Sequence, residues 1–263
     1  TTSFANGTTT LQLLRSLSGQ DEGRINPIPN VQAIASVDVE EGDSAMADIN
    51  GDGFDDLIFA EPGVSMNSNA EVGQVTVSFG SAQGLSPSNV WSMTGTQAGQ
   101  RFGSGLAVQD FNGDGFYDLA VGSPGWNNTQ ANESGDHGLI EIFLGNSSGV
   151  ESDSWWNVTG NEGEALGWKV EGIARMNGDG FADLAAVAAN HSFVVVINSN
   201  EVIHNGKVVI YKGNSSMMNH VRNITQTKES TLLGRSLSGS GDLNGDGFDD
   251  LLISNAAGFE SFS

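Results

Sequence analysis

Short apolar runs recur along the chain, and many of them alternate between apolar and polar positions before they stop at glycine. Three such runs occupy residues 73–80, 138–145 and 206–213, and each begins and ends with glycine. A two-residue period of this kind predicts half-buried strands that lead into hairpins. No long stretch has a helical period, so the pattern predicts an all-β fold.

Four near-copies of one acidic turn precede a second set of short apolar runs, at residues 48–56, 110–118, 175–183 and 242–250. Three of the turns carry Asp, Asn, Asp and Asp at positions 1, 3, 5 and 9, and phenylalanine at position 7. Side-chain oxygens at these offsets, with the carbonyl of position 7, suit Ca²⁺, which takes roughly six to eight oxygen ligands. Position 12 is apolar in all four turns, which excludes a helix-loop-helix calcium site and predicts a buried strand after each turn.

The third turn differs from the others because Arg175 occupies position 1. An arginine removes an anionic ligand and adds a positive charge where the cation would lie. We therefore expect strong calcium sites in the first, second and fourth turns and a weak or empty site in the third turn, with Arg175 paired to Asp179 or Asp183. No helix pair is predicted that calcium would open, so the expected role of the ion is structural. The predicted ligands are Asp48, Asn50, Asp52, Phe54, Asp56, Asp110, Asn112, Asp114, Phe116, Asp118, Asn177, Asp179, Phe181, Asp183, Asp242, Asn244, Asp246, Phe248 and Asp250.

The turns define a repeat, since they begin at residues 48, 110, 175 and 242. The repeats run approximately over 33–88, 89–153, 154–219 and 220–263, each with strand, turn, strand, loop, strand, hairpin and strand. A four-stranded sheet cannot bury both of its apolar faces alone, so copies must stack radially. The sequence therefore predicts one β-propeller, or a portion of one, over residues 1–263.

The second repeat carries the most specific motif of the chain: Arg101-Phe102-Gly103, then the turn at Asp110, then Gly122-Ser123-Pro124. This arrangement resembles the FG-GAP repeat of the integrin α-subunit β-propeller. The Phe-Gly element becomes Leu-Gly at 166–167 and 233–234. The resemblance implies calcium in the turns, and partners that dock on the face opposite the turns. Similar repeats occur in glycosylphosphatidylinositol phospholipase D and in bacterial and algal surface proteins.

The number of blades in the closed ring stays open at the level of sequence. The resemblance implies seven blades, which makes the four repeats a part of a larger ring. Residues 6–15 match the strand segment 205–212, so residues 1–32 are expected to supply strands that complete a blade. Those strands would close a four-bladed ring within one chain, or join copies of the chain head to tail in a filament.

Composition and charge narrow the partners. The chain has 263 residues, 38% of them hydrophobic, which is enough for one sizeable core. The net charge of −22 and the lack of a basic patch exclude nucleic acid as a partner. No apolar run reaches the roughly 18–20 residues of a membrane span, so direct insertion into a membrane is not expected. The absence of cysteine is compatible with the cytosol and with secretion alike.

Asn-X-Ser/Thr sequons favour an exported glycoprotein. Eight are present, against about four expected by chance from this composition. Calcium sites of modest affinity also fill best outside the cell, where binding constants of roughly 10⁻⁴–10⁻³ M suffice. We therefore expect an extracellular or cell-surface location. The predicted glycosylation sites are Asn6, Asn127, Asn132, Asn146, Asn157, Asn190, Asn214 and Asn223.

Long segments of variable length between the second and third strands, at 62–73, 124–138 and 189–206, are expected to be loops that carry recognition. Trp126, in the second of them, is the best candidate for an exposed contact residue. These features predict a non-enzymatic adhesion, recognition or surface-assembly module that binds a protein or glycan. One alternative is an accessory propeller of a secreted hydrolase, and another is an enzyme with its site in the central channel.

Overall fold

The computed structural model of the chain describes residues 8–16, 31–40, 42–85, 89–128, 135–197, 200–225, 231–239 and 241–257. Within these ranges the regular elements are β-strands, as the two-residue period of the apolar positions predicts. The described residues include no helix that is long and apolar enough to cross a bilayer. The predicted all-β class is confirmed.

The first two strands form a hairpin of their own. β1 (Thr8–Ser16) pairs antiparallel with β2 (Val31–Glu40), with a register shift between Leu13 and Leu14. β1 covers most of the segment 6–15 that the sequence analysis assigns to a strand. Among the described strands the two pair only with each other, so completion of a blade by this segment stays a prediction.

Each of the first two repeats forms a four-stranded antiparallel sheet. Sheet one contains β3 (Ser44–Ala47), β4 (Asp56–Glu61), β5 (Gln74–Ser78) and β6 (Val90–Thr94), in chain order. Sheet two contains β7 (Gly105–Gln109), β8 (Asp118–Ser123) and β9 (Leu139–Phe143). A small hairpin of β10 (Gly145–Asn146) and β11 (Gly149–Val150) follows, and then the fourth strand of sheet two, β12 (Trp156–Thr159).

The third repeat has the same strand order but a longer central hairpin. Sheet three contains β13 (Leu166–Ile173), β14 (Asp183–Ile197), β15 (Asn200–Lys212) and β16 (Asn219–Thr225). The expected loop over 189–206 is wrong, because Ser192–Ile197 pairs with Asn200–Asn205 and prolongs both strands. The β-branched run from Val194 to Ile197 favours extended backbone, which explains the difference.

Two strands of the fourth repeat are described, and we call them sheet four. β17 (Thr231–Ser238) pairs antiparallel with β18 (Leu252–Ala257). One parallel bridge, from Asn205 to Leu232, links sheet three to β17. The strand–turn–strand unit of the first three repeats is therefore present in the fourth as well.

The apolar core lies between successive sheets rather than beneath any one of them. Along β8, Leu119 and Val121 pack in a cluster shared with sheet one, whereas Ala120 packs in a cluster shared with sheet three. A further cluster joins sheets three and four. The first strands β3, β7, β13 and β17 are neighbours in that order. The sheets are therefore blades stacked face to face around an axis, and the predicted β-propeller is confirmed.

A glycine just before the third strand of sheets one and two allows neighbouring sheets to touch through their backbones. Gly73 and Gly138 have φ values of 81° and 77°, and they form parallel bridges with Phe102 and Leu166 of the next sheet. A Cβ atom on Gly138 would lie 2.1 Å from the backbone nitrogen of Leu166. The Phe-Gly and Leu-Gly elements are therefore the points where one sheet contacts the one before it.

Two ion pairs reinforce the arrangement. The Nζ of Lys207 lies 2.7 Å from Oε1 of Glu164, and both side chains are over nine-tenths buried. Burial alone would raise the pKa of Glu164, but hydrogen bonds from Lys207 and Asn161 lower it to about 2. The Nζ of Lys169 in β13 lies 2.6 Å from Oδ2 of Asp43, just before β3, so this pair connects sheets one and three.

Candidate metal centre

Each acidic turn joins the first and second strands of its sheet, β3 to β4, β7 to β8, β13 to β14 and β17 to β18. All predicted ligands therefore lie on one face of the propeller. Positions 4 and 6 of each turn are glycines with positive φ, for example 69° at Gly51 and 89° at Gly53. Glycine adopts this backbone without a steric penalty, which lets the chain curl tightly around the turn.

The aspartate at position 1 organises three of the turns. The carboxylate of Asp48 accepts hydrogen bonds from the N–H groups of Asp52 at 2.9 Å and Gly53 at 2.8 Å. Asp110 and Asp242 accept hydrogen bonds from the same positions, 5 and 6, of their own turns. These backbone donors, that of position 6 foremost, lower the pKa of Asp242. The first, second and fourth turns thus share one geometry.

Positions 3 and 5 continue the same network. In the first turn, Asn50 Oδ1 accepts from the N–H of Asp52 at 3.0 Å, and Asp52 Oδ1 accepts from the N–H of Phe54 at 3.0 Å. The second and fourth turns repeat both hydrogen bonds through their own Asn and Asp. In the first turn, Asp52 is exposed and Asn50 is half-buried. The oxygens of both residues are fixed by the turn near the surface.

The aspartate at position 9 connects the turn to the rest of its sheet. Asp56 is fully buried, and its two oxygens accept from the N–H groups of Ile49 at 3.0 Å and Gly80 at 2.8 Å. Asp118 makes the equivalent hydrogen bonds in sheet two, yet burial raises its pKa to about 7. Asp250 accepts from position 2 of its turn at 2.8 Å. Burial of Asp56 and Asp118 raises the pKa of both carboxyl groups, and a nearby cation would offset that cost.

The third turn lacks the position 1 network. The expected pairing of Arg175 with Asp179 or Asp183 is wrong, because Arg175 Nη2 lies 3.0 Å from Oδ1 of Asp249 in the following repeat. The hydrogen bond from Arg175 to this carboxylate raises the pKa of Arg175. Asp179 instead pairs with Lys212, whose Nζ lies 3.0 Å from its Oδ2. Burial opposes ionisation of Asp179, but the hydrogen bond from Lys212 lowers its pKa.

The remaining predicted ligands of the third turn keep most of the hydrogen bonds that their counterparts make in the other turns. Asn177 Oδ1 accepts from the N–H of Asp179, and Asp179 Oδ1 accepts from the N–H of Phe181. Asp183 accepts at Oδ1 from Gly213 and from the Asn177 amide, but its Oδ2 is buried without a hydrogen-bond partner. Burial raises the pKa of Asp183 to about 6.

The donor set of the first, second and fourth turns fits a hard divalent cation. Each turn carries three carboxylates, one amide oxygen and the main-chain carbonyl of position 7, all oxygen ligands of the kind that Ca²⁺ prefers. Within the described ranges no three Asp, Glu, His or Cys side chains are already gathered as a metal cluster. The turn carboxylates accept backbone hydrogen bonds instead, and calcium at these turns stays a prediction.

A contact between successive turns is missed by the sequence analysis. A Cβ atom on Gly51 would lie 2.9 Å from the ring of Phe116, and one on Gly113 would lie 2.6 Å from the ring of Phe181. Gly178 meets the ring of the fourth-turn phenylalanine at 2.7 Å in the same way. The phenylalanine at position 7 thus covers the position 4 glycine of the turn before it. The shared spacing of Gly and Phe in every turn is the signal for this contact.

The predicted glycosylation sites fall into distinct environments. Asn157 and Asn223 are exposed on the outer strands β12 and β16. They occupy equivalent positions in their sheets. Asn157 pairs with the third residue after Gly138, and Asn223 pairs with the third residue after Gly206. Asn190 lies in β14. Asn6 and Asn132 lie outside the described residues.

Three other sequons are tied into local structure. Asn146 and Asn214 are half-buried, and each accepts a hydrogen bond at Oδ1 from a backbone N–H two residues later, at 2.8 Å. The Oδ1 of Asn127 is buried without a hydrogen-bond partner, while its main chain pairs with the side-chain amide of Gln97. Attachment of a glycan at Asn127 would therefore disturb the packing between two loops.

The indole of Trp126, the best candidate for an exposed contact residue, is partly covered. Trp126 is half-buried and packs edge-on against the buried His137, with the ring centroids 6.5 Å apart. Trp168 in β13 is the more exposed indole, at 44%.

A cavity of about 470 Å³ lies between β3 and β7, and Glu171 of β13 contributes to its wall. It borders the turn face and includes Asp48.

Comparisons with known proteins agree with the repeat. The family model described as FG-GAP repeat matches residues 43–78, 102–136 and 233–261. The first, second and fourth turns lie within these segments, whereas the third turn does not.

Two relatives illustrate the similarity. The sequence is 36% identical over 150 residues to phosphatidylinositol-glycan-specific phospholipase D of Rattus norvegicus, covering 53% of this chain and 17% of that protein. It is 34% identical over 173 residues to integrin alpha-IIb of Mus musculus, covering 60% of this chain and 16% of that protein. The matched segment therefore spans about one sixth of each relative. Among solved structures, rhamnogalacturonan lyase YesW matches with a TM-score of 0.47 at 15% identity, over 95% of this chain and 44% of that one.

Proposed function

We propose that this chain, which carries segments matching the FG-GAP repeat and is similar in sequence to integrin alpha-IIb, is a calcium-stabilised propeller that acts outside the cell as a non-enzymatic recognition module. The observation that carries the proposal is the shared geometry of three turns. Each holds the same aspartates and asparagine in the same hydrogen-bond pattern, on one face of a rigid stack of sheets. The sequence similarity to integrin alpha-IIb supports an extracellular location for this chain.

Calcium would be held by positions 1, 3, 5 and 9 of the first, second and fourth turns, with the carbonyl of position 7. The ion supplies positive charge to carboxylates such as Asp118, whose burial is only partly offset by backbone hydrogen bonds. If each site binds at about 0.1 mM and calcium is at about 1 mM, linkage stabilises the fold by about 1.4 kcal/mol per site. Three sites then contribute about 4 kcal/mol, a large part of a typical folding free energy.

Thermal unfolding of the full chain tests this role. We expect EDTA to lower Tm, and we expect Asp114→Ala to lower Tm in calcium by more than Arg175→Ala does. Asp114 holds the second turn at position 5, whereas Arg175 makes only a partly exposed ion pair with Asp249. A Tm that EDTA does not change, or equal losses of Tm in the two variants, would contradict the metal assignment.

The recognition role rests on the surface opposite the turns. The segments that join second to third strands differ between sheets, from a loop at 62–73 to the prolonged hairpin of β14 and β15. Such variation on a constant scaffold suits partner choice. Beads coated with the chain should capture cells or glycans in calcium, and capture should fall in EDTA. Absence of capture by a broad panel of cells and glycans in calcium would count against adhesion.

A second candidate follows from the similarity to phosphatidylinositol-glycan-specific phospholipase D, namely an accessory propeller of a longer secreted hydrolase. In that role the sheets would position a catalytic domain rather than bind a surface partner. Hydrolase activity in the native protein, purified from its source and lost on removal of a segment beyond this chain, would favour this candidate over the first.

A further inference from the structure

The third repeat differs from the others at two sites that are distant in sequence and adjacent in space. Arg175 replaces the aspartate of position 1, and Lys212 ends β15 where sheets one and two have Phe79 and Leu144. The Nζ of Lys212 lies 3.0 Å from Oδ2 of Asp179, at position 5 of the turn. The repeat has thus lost a carboxylate from its turn and gained an ammonium group beside it.

A second carboxylate of the same turn lacks a hydrogen bond that its counterparts make. Asp183 is 1% exposed, and its Oδ2 accepts no hydrogen bond. In the first two sheets the same oxygen accepts from the N–H of position 2, as in Asp56 and Asp118. The carboxylate of position 9 in the third turn therefore lacks the backbone hydrogen bond that its counterparts in the first two turns keep.

Arg175 does not compete for this place. Its guanidinium extends to Asp249 in the fourth repeat, and its main-chain oxygen accepts from the N–H of Asp249 at 3.1 Å. The side chain at position 1 is thus turned to the neighbouring repeat. Among the described residues, Lys212 is the cation that pairs with the position 5 carboxylate of the third turn.

We infer that the ammonium group of Lys212 takes the place of a metal ion in the third turn, so that the chain binds three calcium ions rather than four. The inference rests on the proposed calcium sites of the other three turns. A divalent ion at this turn would have to displace Lys212 from Asp179, without an anionic ligand at position 1 to compensate. The third turn is consequently held together with or without calcium.

A matched pair of variants tests the calcium independence. Asp114→Asn and Asp179→Asn change the same position 5 in the second and third turns. Asp114→Asn should lower Tm in calcium and have little effect in EDTA. Asp179→Asn should lower Tm by about 1–3 °C equally in both, because it breaks a partly exposed ion pair. A loss at Asp179 that appears only in calcium would overturn the inference.

Ion counting gives a second readout. Equilibrium dialysis of the full chain followed by metal analysis should find three calcium ions in the wild type. It should find four in Arg175→Asp/Lys212→Met, which restores the ligand and removes the internal cation. Four ions in the wild type, or three in a double variant whose circular dichroism shows a native fold, would refute the role of Lys212.

The two proposals fail in different ways. No bound calcium in the wild type would defeat the proposed function. The pairing of Lys212 with Asp179 would then be judged in EDTA by a double-mutant cycle with Lys212→Met. Additive effects of Asp179→Asn and Lys212→Met would refute the ion pair, whereas a coupled loss would uphold it.

Discussion

Gly138→Ala should separate sheets two and three at the point where their backbones touch. Gly138 has a φ of 77° and forms a parallel bridge with Leu166. A Cβ atom there would lie 2.1 Å from the nitrogen and 2.2 Å from the oxygen of Leu166. Both are backbone atoms, so no side-chain rotation relieves the clash, and one sheet has to move away from the other.

The expected loss has two parts. A left-handed backbone costs an alanine about 1–2 kcal/mol relative to glycine. Overpacking against a fixed neighbour costs about 1–3 kcal/mol more, and here it also disturbs the apolar layer in which Leu166 is buried. The chain offers a control that separates the parts, because Gly163 has a φ of 76° and a Cβ atom on it would meet nothing within 4 Å.

The assay is thermal unfolding of Gly138→Ala and Gly163→Ala in calcium, followed by circular dichroism. Both variants should lose the backbone part. Gly138→Ala should lose about 2 kcal/mol more, which corresponds to an extra fall in Tm of about 4–8 °C. If the two variants melt within about 1 °C of each other, the close approach of Gly138 to Leu166 does not hold the sheets together, and the reasoning is refuted.

Two further predictions concern the buried ion pair and the sequons. Lys207→Met should destabilise the fold by about 3–5 kcal/mol in chemical denaturation, because Glu164 is left charged and buried, and adding Glu164→Gln should recover most of the loss. Since the pKa of Glu164 is lowered to about 2, its contribution to stability is complete above about pH 4.5 and should fade as the pH drops towards 2. Lys207→Met should lack this acid-dependent loss, and the same acid profile in both proteins would contradict the role of the ion pair. After secretion from eukaryotic cells, glycopeptide mapping should find glycan at Asn157 and Asn223 and little at Asn127; the reverse occupancy would contradict the placement.

Much of the fold could be predicted from the sequence because the signals are local and repeated. Alternation over 73–80 and 138–145 gives the third strands, and the apolar residues after each acidic turn give the second strands. The loop predicted at 189–206 is wrong, because β-branched residues continue the strand pairing into a segment whose position between two strands suggests a loop. Repetition therefore predicts the shared parts of the sheets and not the additions to one of them.

The candidate site could be predicted in part. The turn residues and the weakness of the third turn follow from Asp, Asn and Arg175 at fixed offsets. The partner of Arg175 could not be predicted, because Asp249 is brought to it only by the stacking of sheets three and four. Lys212 was equally hidden, since nothing in its own strand marks it as the counterpart of Asp179. Offsets within one turn are visible in sequence, whereas contacts between a turn and a distant strand, or between repeats, depend on the folded sheets.

The phenylalanine that covers the glycine of the preceding turn gives the propeller a direction. At the three joins between the described turns, the later turn supplies the ring and the earlier turn supplies the bare glycine, so each of these joins uses the same two residue types. Gene duplication could thus lengthen the stack one unit at a time without inventing a new junction. Substitution of one of these phenylalanines should loosen the contact with the preceding turn and leave the contact with the following turn unchanged.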